Sequence, residues 1–115
     1  MIVWESRAEQ ELQDIYDYIF LDSPQNAENV INELVAISES IPNMPYKYPK
    51  EPYFNDDNIR FVPKWSYKII YLIGDVDITI LSVFNTSQYS IKFLINGIKA
   101  ITNLLFKLSF QTLNG

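Results

Sequence analysis

The chain has 115 residues, 48% hydrophobic and 20% charged, with a net charge of −5. That is the composition of one globular domain, with two Trp, eight Tyr and seven Phe to fill a core. Cysteine and histidine are both absent, which excludes disulfide scaffolds, thiolate or imidazole metal sites, cysteine nucleophiles and histidine bases. No cofactor or metal is expected, and any chemistry falls to carboxylates, Lys, Arg, Tyr or Ser. Charge is unevenly spread. All fourteen acids lie between Glu5 and Asp77, against six basic residues there, while Lys92, Lys99 and Lys107 follow with no acid. An acidic body argues against strong nonspecific affinity for nucleic acid, where phosphate neutralisation by Lys and Arg supplies most of the binding, and no direct specific DNA binding is expected. The amino terminus has neither a basic region nor an apolar signal run, so the expected location is the cytoplasm.

In chain order, Ile2-Val3-Trp4 reads as a brief strand. Ser6 and Glu9 have the spacing of a capping box. Ala8, Leu12, Ile15, Tyr16, Ile19 and Phe20 then recur every three to four residues, with Glu9, Glu11, Asp14 and Asp17 expected on a solvated face. A second helix is capped by Asp22 or Ser23, takes Pro24 in its first turn, and stops at Pro42 and Pro45. Its stripe is Ala27, Val30, Ile31, Leu34, Val35 and Ile41. The short connection makes the pair an antiparallel hairpin. Residues 43–58 carry prolines and tyrosines with no period, and read as an ordered surface loop. Ile59–Val62, Tyr67–Ile73 and Asp77–Phe84 read as three strands, the last two joined as a hairpin through Gly74-Asp75.

Beyond them, Ile91, Leu94, Ile98, Ile101, Leu105 and Leu108 form a heptad-like seam, predicting an amphipathic helix from about Ser87 to Phe110. It is expected to pack on the body or on its own copy in a homodimer. A membrane span is not expected, because Lys99 would sit mid-bilayer at a cost of about 3 kcal/mol. The predicted architecture is α+β: an N-terminal strand, an antiparallel helical hairpin packed on an antiparallel β-meander, and a C-terminal amphipathic helix. Residues 1–88 are expected to form the domain and 89–115 an extension.

Trp4, Ala8, Leu12, Ile15 and Tyr18, then Ser23, Pro24 and Ala27, then Pro42 to Pro49, form an ordered set. Arg60, Tyr67-Lys68-Ile69-Ile70-Tyr71 and Ile80-Leu81-Ser82-Val83-Phe84 complete it. Over residues 1–88 this set resembles the RelE/ParE superfamily of toxins from type II toxin–antitoxin systems, and is nearer to ParE-like members. The resemblance implies a cytoplasmic toxin neutralised by a cognate antitoxin protein. ParE-like members inhibit DNA gyrase; RelE-like members cleave messenger RNA in the ribosome with several Lys, Arg and Tyr groups.

Cleaving RNA needs a base for the 2′-hydroxyl, an acid for the leaving oxygen and cations on the phosphorane. Arg60 matches the family's arginine on the first meander strand and is the catalytic candidate. Its alternative is an exposed pair with Asp75 or Asp77, worth at most about 1 kcal/mol. Lys47 and Lys50 occupy the loop where RelE-like enzymes often carry lysines. The resemblance places Ser87 where relatives often carry an arginine, Phe93 and Phe106 cannot replace a terminal catalytic tyrosine, and Tyr89 fits that position poorly. Lys47, Lys50, Arg60, Lys64, Trp65 and Tyr67 are the expected target- or antitoxin-binding residues. For Lys64 and Lys68 a solvated strand edge is the competing expectation, and for Trp65 a core plug; Tyr67 and Tyr71 share a strand face suited to core packing. The balance favours a gyrase-directed toxin, with a ribosome-dependent ribonuclease or a degenerate toxin as the alternatives.

Overall fold

The structure is a computed structural model and describes residues 1–87 and 96–100. Strand β1 (Ile2–Trp4) leads into helix α1 (Ser6–Phe20) and helix α2 (Pro24–Ser40). A 3₁₀ turn (Ile41–Asn43) and a long loop then reach strands β2 (Ile59–Lys64), β3 (Tyr67–Ile73) and β4 (Ile78–Asn85). The sheet order is β1-β4-β3-β2, with the last three strands an antiparallel meander and β1 parallel to β4. The α+β architecture is therefore as expected. Within the predicted C-terminal helix, residues 96–100 are helical. The rest of it, with Tyr89, Phe93, Phe106 and the remaining seam residues, lies outside the described residues.

Local chemistry sets most boundaries. Ser23 caps α2 by accepting from the Asn26 N–H at 3.2 Å, and Pro24 fills the first turn where its missing donor costs nothing. The cap of α1 differs from expectation. Glu5, not Ser6, is the N-cap, and its carboxylate accepts from the Arg7 N–H at 2.6 Å. An anion suits that position, because the first turn presents free N–H groups and the positive end of the helix dipole. Strand β2 continues through Pro63 to Lys64, two residues further than expected. It is an edge strand, where a residue without an N–H is tolerated.

Both faces of the sheet are apolar. Ala8 and Leu34 from the helices pack on Val62, Ile69, Tyr71, Ile78, Ile80 and Val83. On the opposite face Ile59, Ile70, Leu81 and Phe84 form a second cluster, flanked by Phe54, Phe61 and Leu72. Ile98, from the helical residues 96–100, is fully buried in that second cluster. Strand β4 serves both faces because its alternation changes phase. Ile70 pairs with Ser82 and Tyr71 with Ile80, leaving Leu81 as an extra residue in a β-bulge. Consequently Ile80 through Phe84 are all buried in one unbroken run.

Glu11 belongs to this bulge rather than to the solvated face expected for it. Strand β1 ends opposite Ile80. Beyond that point the Glu11 carboxylate accepts from Ser82 Oγ at 2.8 Å and from the Val83 N–H at 3.4 Å, with Arg7 Nε 3.8 Å away. A substituent on Gly97 would run into the Arg7 guanidinium, so the helical residues 96–100 lie against the same arginine.

Burial pushes the Glu11 carboxyl above its ordinary 4.5, outweighing the opposing bond from Ser82 and the nearby Arg7 charge. The folded state therefore binds this proton more tightly than the unfolded chain does. Its stabilising contribution is complete below pH 4.5 and is lost as pH rises through the folded-state value. Urea titrations at pH 4 and pH 7 should show Glu11→Gln gaining on wild type towards neutrality. Glu11→Ala, which strips the buried Ser82 hydroxyl of its acceptor, should cost about 1–3 kcal/mol.

Candidate functional site

The six expected binding residues separate into two groups at opposite ends of β2. Lys47, Lys50 and Arg60 cluster with the proline-rich loop. Lys64, Trp65 and Tyr67 surround the β2–β3 hairpin, about 13 Å further along the strand at 3.3 Å per residue.

At the first group, the loop folds over the exposed edge of β2. The Phe61 N–H donates to Pro49 O at 3.1 Å and the Glu51 N–H to Ile59 O at 2.9 Å, with Lys50 bridged to Arg60. The loop thus shields an edge that would otherwise present a row of free peptide groups. Arg60 organises this arrangement. Its guanidinium donates to the carbonyls of Asp57 at 2.9 Å, Tyr48 at 2.9 Å and Tyr46 at 3.4 Å, and lies 4.9 Å from the Tyr46 ring centroid. The partner expected from sequence, Asp75 or Asp77, is replaced by these loop carbonyls. Lys50 pairs with Asp57 at 2.7 Å, which holds that carboxyl below its ordinary value. Lys47 sits over the Tyr48 ring.

Tyr71 secures the loop from the helix side. Its hydroxyl donates to Pro45 O at 2.5 Å, and its ring meets Tyr48 edge-on. Burial pushes the phenol up to about 12, so it remains a donor rather than a base. On the other face, Glu51 is completely buried and pairs with Lys68, Nζ to Oε2 at 2.5 Å. Lys68 also lies 4.1 Å from the Phe61 ring centroid. Lys68 is therefore no solvated edge, and the proline-rich segment is not wholly a surface loop. Sequence reasoning missed Glu51 because a lone acid among prolines carries no pattern; only its placement opposite Lys68 marks it.

At the second group, the register pairs Lys64 with Tyr67, so Trp65 and Ser66 form a two-residue hairpin loop. Trp65 is 62% exposed and is no core plug. Lys64 Nζ lies 4.8 Å from its ring centroid and 3.5 Å from Glu33 on α2. Tyr67 packs against the helix-side core, and burial raises its phenol while a bond with Asn85 opposes the shift. Ser87, two residues past β4, bonds Asn85 through both its N–H and its hydroxyl. Among the described residues no group of three or more carboxylates could hold a metal ion.

The described residues form a small α+β frame, with a helical hairpin on a meander and a loop strapped to its edge strand. A family model described as "ParE toxin of type II toxin-antitoxin system, parDE" matches residues 2–89, and the chain belongs to that family. The fold is similar to a solved chain of the chromosomal ParDE toxin–antitoxin system from P. aeruginosa. That match has a TM-score of 0.60 and 20% identity, covering 73% of this chain and 92% of the other. No curated protein matches. No helix among the described residues is long and apolar enough to cross a membrane.

Arg60→Ala should release the loop and cost about 2–3 kcal/mol, as expected for losing bonds from a charged donor. Faster amide exchange at Glu51 and Phe61 would register it. Lys68→Met leaves the buried Glu51 carboxyl without its partner, and should cost about 3–5 kcal/mol in urea unfolding. Adding Glu51→Leu should recover most of that loss, since a buried pair exchanged for apolar residues of similar size is close to neutral.

Proposed function

We propose that this chain is the toxin of a type II toxin–antitoxin pair, that a cognate antitoxin protein neutralises it, and that it arrests growth by binding DNA gyrase in the cytoplasm. The observation that carries this reading is the ParE family match over residues 2–89. It favours the ParE-like branch, whose action is inhibition of a protein target rather than hydrolysis. The engagement of the Arg60 guanidinium by three loop carbonyls supports the same choice. A cation that holds the loop in place has less freedom to follow a developing negative charge on a phosphorane. The acidic body supports a protein target over direct nucleic-acid binding. The match ends at residue 89, which supports treating 89–115 as an extension of the toxin domain.

Pulse labelling in bacteria, after inducing the chain alone, tests the reading. Early loss of thymidine incorporation with methionine incorporation intact is the expected outcome. Early loss of methionine incorporation would assign the ribosome as target and make Arg60, Lys47 and Lys50 catalytic candidates. Loss of neither would identify a degenerate toxin. Co-expression with the product of the adjacent reading frame should restore growth and yield a complex.

A further inference from the structure

Trp65 combines features that are costly unless something uses them. It is the one residue other than glycine with positive φ among the described residues, at 52°. The two-residue turns that suit a twisted hairpin place positive φ at this first position, where glycine or asparagine is ordinarily found. The side chain recovers little by burial, since 62% of the residue remains exposed. The hairpin nevertheless holds it firmly. Thr86, just past β4, donates to Ser66 O through both its N–H and its Oγ1, each at 2.8 Å. Lys64 spans the indole face and Glu33 of α2. Strained residues persist where surrounding structure over-determines them, and they cluster at functional sites.

We infer that Trp65 is the anchor by which this toxin seats on its protein target, with Lys64 beside it. The inference rests on the toxin reading above. A rigid indole presented in one orientation loses little entropy on binding, which is why tryptophan dominates the energetic centres of interfaces. The shape selects the kind of partner. A hairpin tip is convex and can enter an apolar pocket on a folded protein, whereas a wrapping antitoxin segment needs a concavity to lie in. Lys64 selects the rim of that pocket. A carboxylate on the partner can take over the Glu33 end of the ammonium while the cation stays on the ring. The acidic body disfavours a nucleic acid as the occupant.

Trp65→Gly separates this role from a structural one, because glycine suits the backbone conformation better than tryptophan does. The variant should melt at the wild-type temperature or above it and should still co-purify with the antitoxin. Its inhibition of gyrase supercoiling, and of growth on induction, should weaken about 30-fold, the loss typical of a central anchor. Trp65→Phe should fall between the two. Undiminished inhibition by Trp65→Gly would overturn the anchor, as would a lowered melting temperature or loss of antitoxin binding with inhibition intact. Binding of a bare oligonucleotide by wild type but not by the variant would assign the indole to base stacking and overturn a protein partner. If wild type arrests growth without inhibiting supercoiling, only the choice of gyrase fails, and the growth assay still decides the anchor. If wild type inhibits neither, the toxin reading falls and takes the anchor with it.

Discussion

A small sheet that is apolar on both faces must be covered on both, and among the described residues one helical hairpin packs on one face. That constraint governs the rest of the molecule. The bulge at Leu81 sends Ile80 and Val83 to one face and Leu81 and Phe84 to the other. Helices α1 and α2 cover the first face. Among the described residues, Phe54 from the proline-rich loop and Ile98 from the helical residues 96–100 pack on the second. Apolar burial of this kind is the dominant favourable contribution to folding, so each covering segment is tied down where it crosses the sheet.

Charged groups do the tying, and they sit at the sheet's two edges. At the β2 edge, Arg60 holds the loop from its carbonyls and the Glu51–Lys68 pair pins it on the outer face. At the β4 edge, Glu11 stands in where β1 has run out, and Arg7 links it towards residues 96–100. A buried pair such as Glu51–Lys68 adds little net stability compared with an apolar replacement. Its consequence is positional, because only one path of the loop brings Glu51 to Lys68.

The same economy explains why functional candidates divide along β2. Cations near the loop are engaged in holding it, Arg60 by carbonyls and Lys50 by Asp57. At the hairpin tip Trp65 is exposed, with Lys64 over its ring and Thr86 bonded to the carbonyl of the neighbouring Ser66, while Tyr67 packs into the core.

Where a residue's role depends on neighbours close in the chain, the sequence was sufficient. The 3.6-residue spacing from Ala8 to Phe20, the Ser23-Pro24 helix start and the apolar run Tyr67–Ile73 each specify an element through local periodicity or local hydrogen bonding. The ordered residues of those elements also sufficed for the family. Tertiary structure decided whatever depends on partners far apart in sequence. Glu11 lies on a stripe that reads as solvated, yet a bulge 71 residues away supplies its partner, Ser82. Lys68 reads as an edge lysine until the loop delivers Glu51. Arg60 could meet Asp75 or Asp77 as readily as loop carbonyls until the loop's path is known. Trp65 could fill a core or face solvent, and it faces solvent from a two-residue turn at positive φ. Spacing encodes the periodic contacts of single elements; the pairing of charges across edges and faces is set only when the chain closes on itself.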